Sequence, residues 1–247
     1  MGLFDRFSKP KWEHKKPEVR IEGIKELDDQ EILIDIAKND PDFDVRLEAM
    51  KKISDKSVLV DIAKNHPNYE VRFNAVQCIT DESVSEDIAK NDSSWEIRIM
   101  ALSHITDESV LMDIAKNDSH DNVRGNAASK VTDESFLRDI AKNDSNWKIS
   151  ANAMDKLDDE DLFKDIAINH SESFARGVAM ERITDQSFLS EIAYTEPDEM
   201  VCAVAVSHIT DDSLLKDISQ NHPSSTIRMT AENKMNSKVM KITVSRD

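Results

Sequence analysis

A five-residue segment, Asp-Ile-Ala-Lys-Asn, returns every 26 residues along this chain. It stands at Asp35–Asn39, Asp61–Asn65, Asp87–Asn91, Asp113–Asn117 and Asp139–Asn143. Degenerate copies keep the register at Asp165, Glu191 and Asp217, with no insertion between them. A fixed period of this size marks a repeat array, in which each unit buries its apolar face only by stacking on its neighbours.

Each unit opens on an apolar residue: Leu27, Ile53, Ile79, Ile105, Val131, Leu157, Ile183 and Ile209. Eight complete units therefore run over residues 27–234. Residues 1–26 read as an N-terminal cap and half-repeat, and 235–247 as a C-terminal cap or tail, all in one continuous domain. Within the cap, Pro17-Glu18-Val19-Arg20 matches the second half of a unit, with Gly23 where the units carry Ala. At the other end Glu232 replaces an apolar residue, which suits a last face meeting water.

Position 3 of every unit is Asp, from Asp29 and Asp55 to Asp185 and Asp211. It precedes an apolar-periodic stretch, so the spacing predicts a helix start with a capping carboxylate. Apolar residues at positions 6, 7, 10 and 11, such as Val58, Leu59, Ile62 and Ala63, form one helical face. Asp at position 9 and Lys at position 12, such as Asp61 and Lys64, are spaced to pair along the same helix. Asn at position 13 suits a left-handed residue ending it.

A second helix is predicted to begin near position 18. Ala holds position 23 in all eight units, where only a small side chain lets two helices approach closely. The expected fold is all-α: eight two-helix repeats between capping helices, with scarce Gly and Pro (4 and 6 residues) disfavouring a turn-rich β protein.

The segment Ile105 to Ala127, with Val123-Arg124 three residues before its Ala, resembles the short HEAT-like repeats of prokaryotic proteins. The leucine-rich-repeat-variant group is a close second. The resemblance covers nearly the whole chain. It implies a right-handed α-solenoid serving as a protein-binding scaffold.

Net charge is −17, with 32 basic against 49 acidic side chains. Such a field repels phosphate backbones, so general nucleic-acid binding is not expected, and the expected partner is an unknown protein or peptide, basic ones included. Cys78 and Cys202 sit nearly five repeats apart, too far for a disulfide. No apolar run reaches membrane-spanning length, and the start of the chain has no signal-peptide stretch. The expected location is cytoplasmic. Leu3, Phe4, Phe7 and Trp12 lie among basic residues, but a capping element is expected over residues 1–16 rather than membrane contact.

Arg20, Arg46, Arg72, Arg98, Arg124, Arg176 and Arg228 share position 20, and Ser150 and Cys202 interrupt the row. Six residues before each stands an acidic residue or His. The row follows the repeat itself, so it reads as a structural ladder bonding turn carboxylates or carbonyls within and between units.

Helical geometry, at about 100° per residue, sets position 21 on the second helix's outer side. There the chain carries Leu47, Phe73 and Ile99, with Met100 adjacent, then Gly125 and Ala151. In HEAT-type solenoids the second helices line the concave face, so the resemblance makes these the candidate partner-binding residues of a concave groove, suited to an amphipathic helix or extended peptide. Packing of the same side chains sideways between repeats is the competing explanation. The aromatics at position 17 (Phe43, Tyr69, Trp95, Trp147) read as staples of the turn onto the second helix.

No catalytic constellation emerges. No His-Glu dipeptide occurs, and the seven histidines are scattered without metal-ligand spacing. Neither a metal nor a cofactor is expected. The expectation is a non-enzymatic scaffold. The alternative is a bilin or small-molecule lyase on a HEAT-like solenoid.

Overall fold

The structure, a computed structural model, describes residues 9–244, with side chains as far as Ser237. Leu3, Phe4 and Phe7, which carry the membrane-contact question, lie outside the described residues. Seventeen α-helices and one 3-10 turn make up the described chain, with no strand among these residues. The chain forms two compact units, one running to Lys130 and the other from Val131.

The first unit opens with the 3-10 turn Lys11–Glu13 and helix α1 (Pro17–Lys25). Four repeats follow as pairs: α2 (Gln30–Asn39) with α3 (Phe43–Lys52), α4 (Lys56–Asn65) with α5 (Tyr69–Val76), α6 (Glu82–Asn91) with α7 (Trp95–Leu102), and α8 (Glu108–Asn117) with α9 (Asp121–Lys130). The second unit holds the other four: α10 (Glu134–Asn143) with α11 (Trp147–Met154), α12 (Glu160–Asn169) with α13 (Ser173–Met180), α14 (Gln186–Thr195) with α15 (Glu199–His208), and α16 (Asp212–Asn221) with α17 (Ser225–Val244).

Asp at position 3 caps every first helix, its carboxylate accepting backbone N–H groups that the helix leaves orphaned. Asp29 takes those of Glu31 at 3.0 Å and Ile32 at 3.2 Å. Position 4 reaches forward as well: Glu82 accepts the N–H of Asp107 in the next repeat at 2.9 Å, and in the second unit Glu160 accepts that of Asp185 at 2.8 Å. Each turn entering a first helix is thus capped from its own repeat and, in these cases, from the one before.

The end of the first helix differs from the sequence expectation. No described residue has a positive φ. The helix stops instead on extended backbone at position 14, as at Asp40 with φ −63° and ψ 133°. Asn at position 13 turns its side chain back onto position 9: Asn65 Nδ2 donates to Asp61 Oδ1 at 2.9 Å. With Asp61 so engaged, Lys64 bonds the following repeat, 2.6 Å from Asp87 Oδ2. Lys90 does the same to Asp113 at 2.7 Å, and Lys142 to Asp165 at 2.6 Å. These pairs run between repeats rather than along one helix.

The core follows the periodicity. Ile at position 10 is buried in all eight repeats, as is Ala at position 23. Consecutive second helices make closer backbone contact with each other than consecutive first helices do, in both units.

Gly23 occupies the Ala position of the half-repeat for a steric reason. A Cβ there would stand 2.6 Å from the Trp12 backbone nitrogen and 2.8 Å from the Lys11 carbonyl carbon. The 3-10 turn lies directly on α1. At the other end, α17 continues unbroken through 235 to Val244, where a separate short helix is expected from sequence. No Gly or Pro between 232 and 244 interrupts it.

Candidate interaction surface

The arginines at position 20 bridge the turns of adjacent repeats. Toward its own turn each guanidinium donates to the carbonyl at position 14: Arg46 Nη1 to Asp40 O at 3.0 Å, Arg72 Nη1 to His66 O at 2.9 Å, Arg98 Nη1 to Asp92 O at 2.9 Å. Arg124, Arg176 and Arg228 do likewise to Asp118, His170 and His222. Toward the next repeat the bond is two-pronged. Arg20 grips Asp40 at 2.8 and 2.7 Å, Arg72 grips Asp92 at 2.9 and 3.1 Å, and Arg98 grips Asp118 at 2.8 Å twice. Both members of each pair are largely buried.

Position 14 has a second task, accepting the N–H two residues on. Asp92 takes that of Ser94 at 2.8 Å, and His170 Nδ1 takes that of Glu172 at 3.0 Å. A neutral His can do this but cannot receive a guanidinium as a carboxylate does. Where His follows, position 20 of the preceding repeat is another residue in two cases of three, and in the third its arginine takes other partners. Ser150 Oγ lies 3.1 Å from His170 Nε2, both buried. Cys202 stands before His222, whose Nε2 meets Ala193 O at 3.0 Å. Arg46, facing His66, turns to Asn74 at 3.0 Å and Glu70 at 3.3 Å. The gaps in the row therefore track the chemistry of the next turn.

Leu47 on α3, Phe73 on α5 and Ile99 on α7 are half-buried, as are Met100 beside Ile99 and Gly125 on α9. Ala151 on α11, in the second unit, is half-buried too. The ring of Phe43 lies 6.3 Å from that of Phe73, joining the position-17 row to the position-21 row of the following repeat.

Two features carry no assignment from sequence. A cleft of about 570 Å³ opens between Tyr69 and Trp95, bordered by Glu96. In the second unit, Ile168 and Tyr194 are exposed at position 12, where the first five repeats carry Lys. Tyr194 keeps a rung by donating its hydroxyl to Asp217 at 2.5 Å; burial first, and then this bond, push the pKa of its hydroxyl up to about 12. That departure from the repeat consensus is the signal by which sequence alone could have found them.

The remaining shifted groups have structural causes. Lys164, Ser187 and the Phe188 N–H hold the Asp185 carboxyl well below its usual range, as befits a cap. Burial pushes the Cys202 thiol up to about 11 and raises that of Cys78. Among the described residues no group of three His, Cys, Asp or Glu could hold a metal ion, and no helix is long and apolar enough to cross a membrane.

No protein-family model matches this chain, and no curated protein matches it. A solved structure does, that of a leucine-rich repeat variant with a novel repetitive protein structural motif. The two superpose with a TM-score of 0.60 over 94% of this chain and 93% of the other, at 16% sequence identity. At that identity the likeness is one of fold. With the paired helices described above, it makes this chain a helical-repeat protein of the α-solenoid class.

Proposed function

We propose that this chain is a non-enzymatic scaffold that binds another protein or peptide along the outer side of its second helices. The observation that carries the proposal is the half-buried apolar row Leu47, Phe73 and Ile99, with Met100, in the first unit. Repetition alone does not demand these large side chains, since the same position is Gly or Ala in four repeats. In a stack whose second helices neighbour each other more closely than its first helices, the closer layer lies on the inside of the curve. The row then lines a concave surface within its unit, with Gly125 as a smooth continuation. In the second unit Ala151 keeps the position small.

Repeat arrays offer such surfaces to protein partners, and the fold likeness agrees with that role. The negative charge favours a partner with basic character. A cytoplasmic location fits, because Cys78 and Cys202 are free thiols. The test is a pull-down on the full chain with Phe73→Glu and Ile99→Glu, thermal melting confirming that both variants fold. Loss of the wild-type partner in the variants is expected. Unchanged recovery would remove the surface from consideration.

A further inference from the structure

Every aromatic ring at position 17 but one is met by another planar or cationic group of the chain. Phe43 has Phe73 at 6.3 Å and the Arg46 guanidinium at 5.8 Å. Trp95 stacks on His120 at 4.6 Å and 6°. In the second unit Trp147 has Phe174 at 5.3 Å and the Lys148 ammonium at 5.7 Å. Among the described residues Tyr69 has no such neighbour. Its side chain is 53% exposed, and it walls the 570 Å³ cleft together with Trp95.

The charge around that cleft is negative. Arg72 lines it, but its Nε and Nη2 donate to the two oxygens of Asp92. Glu96 borders the cleft and is exposed. Glu70 follows Tyr69 and keeps half its side chain in solvent despite its contact with Arg46. Across residues 1–130 there are 19 Lys and Arg against 27 Asp and Glu. The positive ends of α5 and α7 act against a cation here, but each amounts to roughly half a charge, less than the carboxylate beside it.

We infer, on the basis of the proposed scaffold function, that the Tyr69–Trp95 cleft takes an arginine or lysine side chain from an extended basic peptide. The ring face supplies a cation–π surface and Glu96 the counter-charge. The pairing of an aromatic with a following acid occurs in three consecutive repeats: Phe43-Asp44, Tyr69-Glu70 and Trp95-Glu96. Neighbouring helices in such a stack stand roughly 8–10 Å apart, and three residues of extended chain span about 10 Å. Phe43 and Trp95 keep their own partners, so the uncovered Tyr69 ring takes one basic side chain of such a peptide.

Fluorescence anisotropy with the full chain tests this. The probes are a labelled nine-residue Gly/Ser peptide with one central Arg, its citrulline counterpart and its Glu counterpart. The Arg peptide is expected to bind at least tenfold more tightly than either. Tyr69→Ala and Glu96→Gln should each weaken it about fivefold, and Tyr69→Phe should leave it nearly unchanged. Both positions are exposed, and a melting curve checks each fold. No binding of the Arg peptide, or equal binding of the citrulline peptide, overturns the inference. So does self-association of the protein in light scattering that Tyr69→Ala abolishes, which would assign the cleft to a second copy. These outcomes leave the scaffold proposal standing, because that proposal fails only if Phe73→Glu and Ile99→Glu retain the partner.

Discussion

Arg98 Nε and Nη2 each lie 2.8 Å from a different oxygen of Asp118, so one planar guanidinium ties the third repeat to the turn of the fourth. The same guanidinium holds the carbonyl of Asp92 in its own turn. One side chain thus satisfies two consecutive turns, and the stack gains a rung that neither repeat has alone.

The burial of that rung sets the size of the effect on removing it. Side-chain exposure is 10% for Arg98 and 6% for Asp118, so Asp118→Ala should cost about 3 kcal/mol by leaving a guanidinium unpaired. The Lys64–Asp87 rung is 37% and 48% exposed, and Lys64→Met should cost about 0.5 kcal/mol at most. Urea unfolding followed by circular dichroism compares the two. Equal losses would show that burial does not govern the rungs.

His170 makes stability depend on pH in a definite direction. Its ring is buried and its Nδ1 accepts an N–H, so the neutral form is favoured in the folded chain. Burial lowers its pKa first of all, Arg176 adds to that, and Glu172 and Asp144 oppose it. A group whose folded pKa lies below its unfolded value stabilises above the unfolded value, about 6.5 for His, and loses that contribution as pH falls. The melting temperature should therefore drop between pH 7 and pH 5. The double variant Ser150→Arg with His170→Asp restores the pairing seen at Arg98 and Asp118, and its drop over that interval should be smaller. A drop of the same size would show that His170 is not responsible.

Gly23→Ala should destabilise the start of the array. The added methyl would fall within 2.8 Å of the Lys11 and Trp12 backbone, which cannot rotate away. A cost of about 1–3 kcal/mol is expected, in line with overpacking elsewhere. Hydrogen exchange should show it as faster opening of α1 and the 3-10 turn. Ala at this position in the complete repeats does no harm, since Ala49 and Ala75 are fully buried without crowding. An unchanged exchange pattern would mean that the turn can lift off α1 freely.

Much of this architecture is legible one repeat at a time. Asp55 before Val58 and Leu59, Ile62 one turn later and Ala75 on the second helix are local signals, and the structure uses each as its spacing implies. The hydrophobic period sets which side of a helix turns inward, and the capping carboxylate sets where the helix begins. The comparison of one repeat with the next also exposes the exceptions, such as Ser150 and Cys202.

Not every contact between repeats was legible in that way. Lys64 is spaced for Asp61 on its own helix, yet it bonds Asp87, because Asn65 claims Asp61 and stacking brings the next helix alongside. Asn65 suits a left-handed turn by residue type, but a side-chain bond within the helix held it in ordinary geometry. The Tyr69 cleft exists only because the ring of one repeat stands one helix spacing from the ring of the next.

The sequence by itself determined the repeat, its helices, their caps and their buried faces, since each depends on residues a few positions apart. Tertiary structure alone decided that Lys64 takes Asp87 rather than Asp61 and which rings were left uncovered. Those outcomes depend on distances between residues some 20 positions apart, and such distances are set by how the helices stack rather than by local pattern.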